Sequence, residues 1–252
     1  MSTPAQGLAD LIAGARSVVA LTGAGISVPS GIPDFRSPGT GLWAGVDPMQ
    51  VAHIDAWRAD PQRFWAFYGE RFTLLDGKRP NPAHDALVAL ERAGRLDAVI
   101  TQNIDGLHRA AGQETVIEVH GTTATSSCPD CGTVLTLPAV RDLAARAPDG
   151  VPRCERCAGP LKPDVVLFGE LLPPVAMQRA SALAAGADLL LCVGTSLEVF
   201  PVAGLPDLCA EAGGAVALVT QGPTPWDADC AVKLDGDVAD ELPRVLELLE
   251  RG

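Results

Sequence analysis

Short apolar runs recur along the chain, and each of them ends at small or polar residues. The runs are mostly apolar and rich in Val, Ile or Leu. Strands of a parallel sheet have this composition because helices cover both faces of the sheet. The pattern predicts buried strands within SVVALTG (17–23), DAVITQN (97–103), TVIEVHG (115–121), DLLLCVGTS (188–196) and GAVALVTQG (214–222).

Helical periodicity appears between several of these strands. Apolar residues at intervals of three and four predict a helix from about Ala5 to Ala15. A second helix is predicted after the N-cap residue Asn81, with Pro82 in its first turn and Gly94 as its C-cap. A third helix is predicted within residues 173–186. Alternating strands and helices predict an α/β fold with a doubly wound, parallel, Rossmann-like sheet.

Two segments depart from this alternation. Residues 38–81 hold three of the four Trp residues and show no strand pattern, which predicts a small helical insertion. Residues 126–160 contain two CxxC pairs and few large apolar residues, so this module needs a bound metal to stabilise it. The remaining ranges, 1–37, 82–125 and 161–252, are assigned to the Rossmann-like domain.

Composition and charge restrict the partners. The 252 residues are 47% hydrophobic, which is enough for a large core and a small module. The net charge is −12, so we expect no nucleic-acid partner, because phosphate binding needs clustered Lys and Arg. No apolar run approaches the ~20 residues of a membrane span. The first ten residues lack the order of a signal peptide. We therefore expect a cytoplasmic protein that does not associate with membranes. A monomer is expected as well, although no sequence feature specifies the oligomeric state.

The cysteines favour a metal site over disulfides. Seven cysteines are an odd number, which is typical of a reducing compartment. Four of them form two CxxC pairs separated by 22 residues, the spacing of a zinc ribbon. Four thiolates close a tetrahedral shell without an open position, so one structural zinc ion is predicted. Its ligands would be Cys128, Cys131, Cys154 and Cys157.

The first predicted strand ends at the small residues Gly23, Ala24 and Gly25. Ligands of open α/β sheets bind at the carboxyl ends of the strands, where small residues let backbone amides approach a pyrophosphate. Val28 stands where a dinucleotide fingerprint has its third glycine, and no acidic residue closes a second strand at the usual offset. These features argue against a hydride-transfer dehydrogenase. An ordinary tight turn remains the alternative for these three residues.

Further motifs make a family resemblance specific. In chain order they are GAGISVPSGIPDFRS, TQNIDGLH, VHG, CPDC, CERC, KPDVVLFGE and GTSLEVFPVAG. From about Leu8 to Val245 the chain resembles the sirtuins of bacterial type, which are NAD-dependent protein-lysine deacylases. The resemblance implies that NAD is consumed, that zinc is structural and that acylated lysine in extended protein segments is the substrate. The Rossmann-like ranges would then form the NAD-binding domain.

The resemblance also implies roles for individual residues. His120 would be the general base, which suits a residue that titrates near neutral pH. The acyl oxygen would attack C1′ of the nicotinamide ribose, nicotinamide would leave, and His120 would deprotonate a ribose hydroxyl that closes onto the imidate carbon. The nicotinamide pocket would comprise Asn103, Ile104 and Asp105, with Asn103 and Asp105 also counted as catalytic. Further cofactor contacts would come from Gly23, Ala24, Gly25, Ile26, Asp34, Phe35, Arg36, Gln102, Gly194, Thr195 and Ser196.

Two positions depart from the family pattern. Thr220 stands where the family usually has Asn, so it offers one hydroxyl to the adenosine ribose instead of an amide. Val238 stands near the position where the family's backbone meets adenine. Both are retained as cofactor contacts. The other three histidines are expected to have structural roles.

The substrate would bind along two edges of the chain. Val166, Phe168, Gly169, Glu198 and Val199 are expected to pair with the peptide backbone by β-augmentation. Tyr68 and Arg71, at i and i+3 of a helix, match a Tyr-x-x-Arg found in sirtuins that remove succinyl or malonyl groups. Arg binds carboxylates through two hydrogen bonds. The alternative is a core aromatic residue beside a surface Arg, so acetyl and acidic acyl groups both stay open.

Two other functions are alternatives to deacylation. A mono-ADP-ribosyltransferase could use the same scaffold, and the mass of the product formed from an acylated peptide distinguishes the two. A non-catalytic module that binds NAD or ADP-ribose is the second alternative. His120 and the segment from Asn103 to Asp105 argue against that alternative, because a binding module needs no general base.

Overall fold

The computed structural model describes residues 3–34 and 47–251. Phe35 and Arg36, expected in the cofactor loop, lie outside the described residues. The strands are β1 (Val18–Thr22), β2 (Ala98–Thr101), β3 (Val116–Glu118), β4 (Gly121–Ser127), β5 (Val134–Thr136), β6 (Lys162–Val165), β7 (Leu189–Val193), β8 (Ala215–Val219) and β9 (Val232–Leu234). The helices are α1 (Pro4–Gly14), α2 (Pro48–Val51), α3 (Ile54–Ala59), α4 (Pro61–Thr73), α5 (Pro82–Arg92), α6 (Leu107–Ala111), α7 (Leu137–Arg146), α8 (Pro174–Gly186), α9 (Leu205–Glu211) and α10 (Val238–Arg251). Short 3₁₀ segments span Ala24–Ser30 and Val202–Gly204.

The main sheet has six strands in the order β3-β2-β1-β7-β8-β9, and every neighbouring pair is parallel. All residues of β1, β2 and β7 are buried, as the continuous apolar runs predict. The five strands predicted from the sequence are confirmed, and β9 is an edge strand that the sequence did not reveal. From β1 the strands run to β2 and β3 on one side, and the chain then crosses back to place β7, β8 and β9 on the other side. This order is typical of a doubly wound sheet.

Helices pack on both faces of this sheet. One face is covered by α1, α5 and α10, and its core contains Leu8, Leu87 and Val245. The other face is covered by α8 and α9, and its core contains Ala184 and Cys209. The two separate cores explain why the strands are apolar on both sides, and they confirm the predicted α/β fold class.

Helix α5 shows how local chemistry sets a helix boundary beside the site. The side chain of Asn81 accepts a 3.0 Å hydrogen bond from the amide of Ala83, and His84 Nδ1 accepts from the amide of Asn81 in a capping box. The helix ends before Gly94, whose φ of +67° is the left-handed conformation typical of a C-cap glycine. The predicted start and stop signals of this helix are confirmed.

A second, smaller sheet follows the main one in the chain. It is antiparallel with the order β5-β4-β6 and spans Gly121 to Val165. A third core joins this sheet to the helices before it and contains Trp57, Phe64, Cys154 and Leu161. The helical segment and the cysteine module therefore stabilise each other.

The predicted division into a Rossmann-like domain, a helical insertion and a zinc ribbon stays a prediction. The helices α2, α3 and α4 lie within the predicted insertion. Within the described ranges, no helix combines the length and apolarity that crossing a bilayer requires.

Candidate active site

Three strand ends of the main sheet meet at one place. Thr22 of β1 lies opposite Thr101 of β2 and Val193 of β7, so the chain leaves all three strands at the same level. The segments that follow are those in which the sequence placed the cofactor site. The parallel topology therefore brings the glycine turn, the segment from Gln102 to Asp105 and the segment from Gly194 to Ser196 to one edge of the sheet.

The glycines of the turn make room for the neighbouring loop. A Cβ atom on Gly23 would lie 2.8 Å from the Cβ of Thr195, and one on Gly25 would lie 2.8 Å from the Cα of Gly194. The amide of Gly25 donates a 2.8 Å hydrogen bond to the Gly194 carbonyl, and the amide of Gly23 donates to the Val193 carbonyl at 3.1 Å. Both amides are engaged within the protein, so a phosphate at this turn would contact other groups of the loop.

A buried hydrogen-bond network lies directly behind this turn. Asn103 is 6% exposed, and its Nδ2 donates to the Gly23 carbonyl at 3.0 Å and to Ser27 Oγ at 3.1 Å. Ser27 Oγ donates to Asp105 Oδ2 at 2.7 Å, and Asp105 Oδ1 accepts from the amide of Leu107 at 2.9 Å. Asn103 and Asp105 are therefore held in fixed orientations, as a pocket for a carboxamide requires.

Ser27 is the functional candidate that sequence reasoning missed. It lies in the 3₁₀ segment after β1 and is 1% exposed, and a polar side chain this deeply buried needs hydrogen-bond partners, which Asn103 and Asp105 supply. The sequence feature that could have identified Ser27 is its position in the motif GAGISVPSGIPDFRS, a few residues after the end of a buried strand. Its hydroxyl links two predicted site residues that belong to a different strand end.

His120 follows β3, and its hydrogen bond fixes its tautomer. His120 Nδ1 lies 3.0 Å from the backbone carbonyl of Gln102, and a carbonyl can only accept. Nδ1 therefore carries the proton, and Nε2 is the nitrogen that can accept one. Burial lowers the pKa of His120, and the hydrogen bond to Gln102 opposes that shift. The imidazole is thus neutral near pH 7 and suited to act as a base.

The side chain of Gln102 connects His120 to the strand end of β7. Gln102 Nε2 donates to Thr195 Oγ1 at 2.9 Å. The same residue accepts from the imidazole through its backbone, so it spans the edge of the sheet. The other predicted cofactor contacts after β2 and β7 differ in exposure to solvent. Gly194 and Thr195 are buried, Ile104 is half-buried and Ser196 is exposed.

The glycine after His120 allows a close backbone contact with β6. The position of a Cβ on Gly121 would overlap the carbonyl oxygen of Asp164, and Gly121 has a φ of +77°. The amide of Val166 donates to the His120 carbonyl at 2.9 Å. The His-Gly motif thus joins the candidate base to the segment expected to bind the substrate.

That segment is tied to the helical insertion as well. The amide of Phe168 donates to the Ala52 carbonyl, and its carbonyl accepts from the amide of Ile54, both at 2.9 Å. Phe168 is 47% exposed, and Gly169 has a φ of +82°. The second predicted peptide edge is also accessible, with Glu198 exposed and Val199 half-buried.

Buried histidines lie beneath the pocket. Thr22 Oγ1 donates to Thr101 Oγ1 at 2.8 Å and lies 2.9 Å from His108 Nε2. Because the single hydroxyl proton of Thr22 is used in the bond to Thr101, His108 Nε2 carries a proton and donates to Thr22. Thr101 Oγ1 also accepts from the amide of Asn103 at 3.1 Å. Burial and the neighbouring His84 lower the pKa of His108 to about 3. The expected structural role of His108 is a hydrogen bond that supports the pocket floor.

Two predicted cofactor contacts lie at the far side of the site. Thr220 follows β8 and is 6% exposed, and its amide donates to the Leu234 carbonyl at 3.0 Å. The side chain of Val238 is 5% exposed and packs in the core formed with α1 and α5. Only the backbone of Val238 is suited to meet a cofactor. Asp34, the last described residue before the gap, is half-buried.

Tyr68 and Arg71 lie next to each other on α4. Tyr68 is 8% exposed, its ring stacks on Phe64 with centroids 4.5 Å apart, and burial raises its pKa. The Arg71 guanidinium lies 3.4 Å above the centre of the Phe67 ring and donates to the Phe67 carbonyl. Tyr68 thus belongs to an aromatic core, while the buried Nε of Arg71 has no hydrogen-bond partner among the described residues.

The four cysteines of the CxxC pairs converge. Their Sγ atoms all lie within 4.8 Å of one another. Zn–S bonds of about 2.3 Å in a tetrahedron place the sulfurs roughly 3.8 Å apart, so Cys128, Cys131, Cys154 and Cys157 fit one zinc ion. Four protein ligands leave no position for substrate. The site therefore suits a structural zinc, as the sequence predicted.

Comparison with known proteins agrees with this geometry. The Sir2 family model matches residues 23–201. An NAD-dependent protein deacetylase of Haloarcula marismortui is 45% identical over 248 residues, covering 96% of this chain and 93% of that protein. NAD-dependent protein deacylase 2 of Pyrobaculum aerophilum is 41% identical over 244 residues, covering 97% and 95%. A solved structure of Sir2 with a p53 peptide and NAD+ has a TM-score of 0.89 at 38% identity, covering 97% of this chain and 98% of that one. The chain therefore belongs to the Sir2 family.

Proposed function

We propose that this chain is an NAD-dependent protein-lysine deacylase that transfers the acyl group to ADP-ribose and releases nicotinamide. The observation that carries the proposal is the fixed tautomer of His120, whose Nδ1 is bound to the Gln102 carbonyl and whose Nε2 can accept a proton. NAD is a substrate in this reaction, and its nicotinamide is the leaving group. The names of the curated relatives favour deacylation over mono-ADP-ribosyl transfer or binding alone.

The proposed roles of the site residues follow from their positions. His120 deprotonates a ribose hydroxyl, which is work for a neutral base near pH 7. The network of Asn103, Ser27 and Asp105 holds the carboxamide of nicotinamide in place. Gln102 and Thr195 form the wall of the ribose site. Each role depends on an orientation that a hydrogen bond fixes before substrate binds.

Acylated lysine in extended protein segments is the proposed partner. The Val166 amide bonds to the His120 carbonyl, which places the expected peptide edge beside the base. Residues 198 and 199 would form the facing edge. The absence of a nucleic-acid partner is part of the proposal and is supported by the net charge of −12. A monomeric state and a cytoplasmic location are proposed with it.

We further propose that the enzyme accepts succinyl- or malonyl-lysine in addition to acetyl-lysine. Arg71 has a buried Nε without a partner among the described residues, and a carboxylate would satisfy it. Tyr68 lies beside Arg71, although its ring belongs to the aromatic core. An Arg71→Met change is expected to reduce succinyl turnover far more than acetyl turnover, and equal loss of both would contradict acidic-acyl binding.

The central experiment follows an acetyl-lysine peptide and NAD by mass spectrometry. Wild-type protein is expected to yield free lysine peptide, nicotinamide and O-acetyl-ADP-ribose in equal amounts. A peptide that gains the mass of ADP-ribose would indicate the transferase instead. NAD binding without any product would leave only a binding module.

A further inference from the structure

We propose that Lys162 and Glu170 are positioning residues for the acylated peptide. Their ion pair holds the segment between them in the conformation that receives the substrate. The inference rests on the proposed function, because it concerns the edge along which that function places acyl-lysine. Both residues lie in the motif KPDVVLFGE, and Glu170 ends the predicted peptide edge, but no individual role was predicted for either residue from the sequence.

The pair is short and largely removed from solvent. Lys162 Nζ lies 2.8 Å from Glu170 Oε2, and the two side chains are 15% and 25% exposed. Lys162 Nζ also donates to the carbonyls of Val165 at 2.8 Å and Pro163 at 3.1 Å. An ammonium has three N–H donors, and these three acceptors use all of them. The lysine is therefore fixed against β6 and cannot exchange partners freely.

The carboxylate closes a turn at the other end of the segment. Glu170 Oε2 accepts from the amide of Leu167 at 2.9 Å, and the amide of Glu170 donates to the Leu167 carbonyl at 3.0 Å. Gly169, the third residue of this turn, has a φ of +82°, as a type II turn requires. One carboxylate oxygen thus binds both the ammonium and the turn amide.

The turn carries the residues expected to meet the peptide. Val166 is bound to the His120 carbonyl, and Phe168 is bound through both of its backbone groups to residues 52 and 54. These backbone contacts set where the segment lies, and the ion pair sets the shape of its turn. A change in that shape would displace the peptide edge relative to His120.

The NAD-facing elements are built separately. Gly23, Gly25 and Gly194 contact one another through backbone atoms. The side-chain hydrogen bonds of Lys162 and Glu170 go to each other and to residues of the segment between them. Loss of the pair is therefore expected to weaken peptide binding while the affinity for NAD stays the same. A purely structural ion pair would change both affinities equally or neither, because it would act only through the stability of the whole fold.

The test uses full-length Lys162→Met, Glu170→Gln, the double variant and the conservative Lys162→Arg. Lys233→Met is the matched control, because Lys233 forms a 2.9 Å ion pair with Asp227 and its side chain is 18% exposed. For each protein we would measure the Kd of a fluorescent acetyl-lysine peptide, the KM of peptide and of NAD, kcat and the melting temperature.

Each single variant is expected to weaken peptide binding about tenfold, with NAD KM and kcat within about twofold of wild type. The double variant should be no weaker than the worse single variant, since both remove the same interaction. Lys162→Arg should retain wild-type affinity, and Lys233→Met should not change peptide Kd.

Unchanged peptide Kd in folded Lys162→Met and Glu170→Gln would overturn the inference, as would single effects that multiply in the double variant. If Lys162→Met does not fold, Glu170→Gln and Lys162→Arg decide the question. Peptide binding by wild type without nicotinamide release would refute the proposed function, while the Kd comparison would still test the pair. No peptide binding by wild type would overturn both.

Discussion

The Ser27 hydroxyl donates a 2.7 Å hydrogen bond to the carboxylate of Asp105, although the two residues follow different strands of the sheet. Ser27 Oγ also accepts a hydrogen bond from the side-chain Nδ2 of Asn103 at 3.1 Å. One hydroxyl therefore orients the two polar side chains that define the proposed nicotinamide pocket. Because the hydroxyl is 1% exposed, water cannot easily replace it.

Ser27→Ala is expected to slow nicotinamide release by about ten- to a hundredfold, because a small misplacement of orienting groups is costly to the rate. The change also leaves buried polar atoms without a partner, so unfolding free energy should fall by about 1–3 kcal/mol. Exchange of labelled nicotinamide into NAD measures the first effect. Ser30→Ala is the control, since Ser30 Oγ accepts from Asn81 Nδ2 at 2.8 Å in the same 3₁₀ segment. If both variants slow exchange equally, Ser27 has no special role.

The pH dependence of catalysis should reflect His120. Only the neutral imidazole can accept a proton, and burial lowers its pKa below the ordinary value of about 6.5. The neutral form therefore persists below pH 6.5, and kcat/KM should fall only at lower pH. His120→Ala should reduce deacylation by about 10²–10⁴ with NAD binding retained. A steady-state pH profile and calorimetry with NAD check both expectations, and deacylation unaffected by this change would contradict the base role.

Gly25→Ala is expected to destabilise the protein by about 1–3 kcal/mol, because the new methyl group would meet the backbone of Gly194. Gly69→Ala is the matched control within α4, where a Cβ would meet no atom within 4 Å. That control should be stabilised by up to about 1 kcal/mol, the helix preference of Ala over Gly. Chemical denaturation of both variants measures the difference. Equal free energies of unfolding for the two variants would contradict the close contact between Gly25 and Gly194.

Removal of zinc is expected to disturb more than the cysteine module. Cys128 and Cys154 belong to the same core as Trp57 and Trp65, and Trp65 Nε1 donates to the Leu161 carbonyl at 3.0 Å. A strong chelator should therefore shift tryptophan emission to the red and abolish deacylation. Metal analysis should find one zinc per chain, lost in Cys154→Ser. Unchanged emission after complete zinc removal would refute the coupling.

Stability should fall in acid partly because of His108. Its folded pKa is lowered to about 3, so protonation of the unfolded chain favours unfolding as pH falls. The contribution of the neutral His108 to the free energy of unfolding is fully present above pH 6.5. Between pH 6.5 and 3 it is lost at up to about 1.4 kcal/mol per pH unit. His108→Leu should flatten the slope of unfolding free energy against pH over that window. An unchanged slope would show that other groups carry the acid sensitivity.

The apolar runs predicted the main sheet because buried parallel strands leave a direct mark on composition. The edge strand β9 escaped detection because it is three residues long with Lys233 at its centre. Strand β4 was not predicted either. Its sequence, Gly121–Ser127, is rich in Thr and Ser, so the strand that pairs with β5 and β6 shows no hydrophobic pattern.

The sequence could place candidate site residues where polar chemistry coincides with a strand end, as at His120 and Asn103, and the structure brings these two strand ends to the same edge of the sheet. Ser27 could not be placed from the sequence, because its partner Asp105 is far away along the chain. Lys162 and Glu170 both lie in the motif KPDVVLFGE, but the motif does not show that their side chains form an ion pair. The Ser27 bond spans 78 residues. Phosphate contact by the glycine turn stays a prediction, and in the structure this turn packs against the loop at Gly194 and Thr195.

The contact between Gly25 and Gly194 has an evolutionary consequence. No side chain separates the two backbones, and Gly194 itself has a φ of +58°. Neither position can gain a side chain unless the opposite loop retreats. Lineages that remodel this rim of the sheet must therefore alter both loops together, by paired insertions or deletions and not by single substitutions.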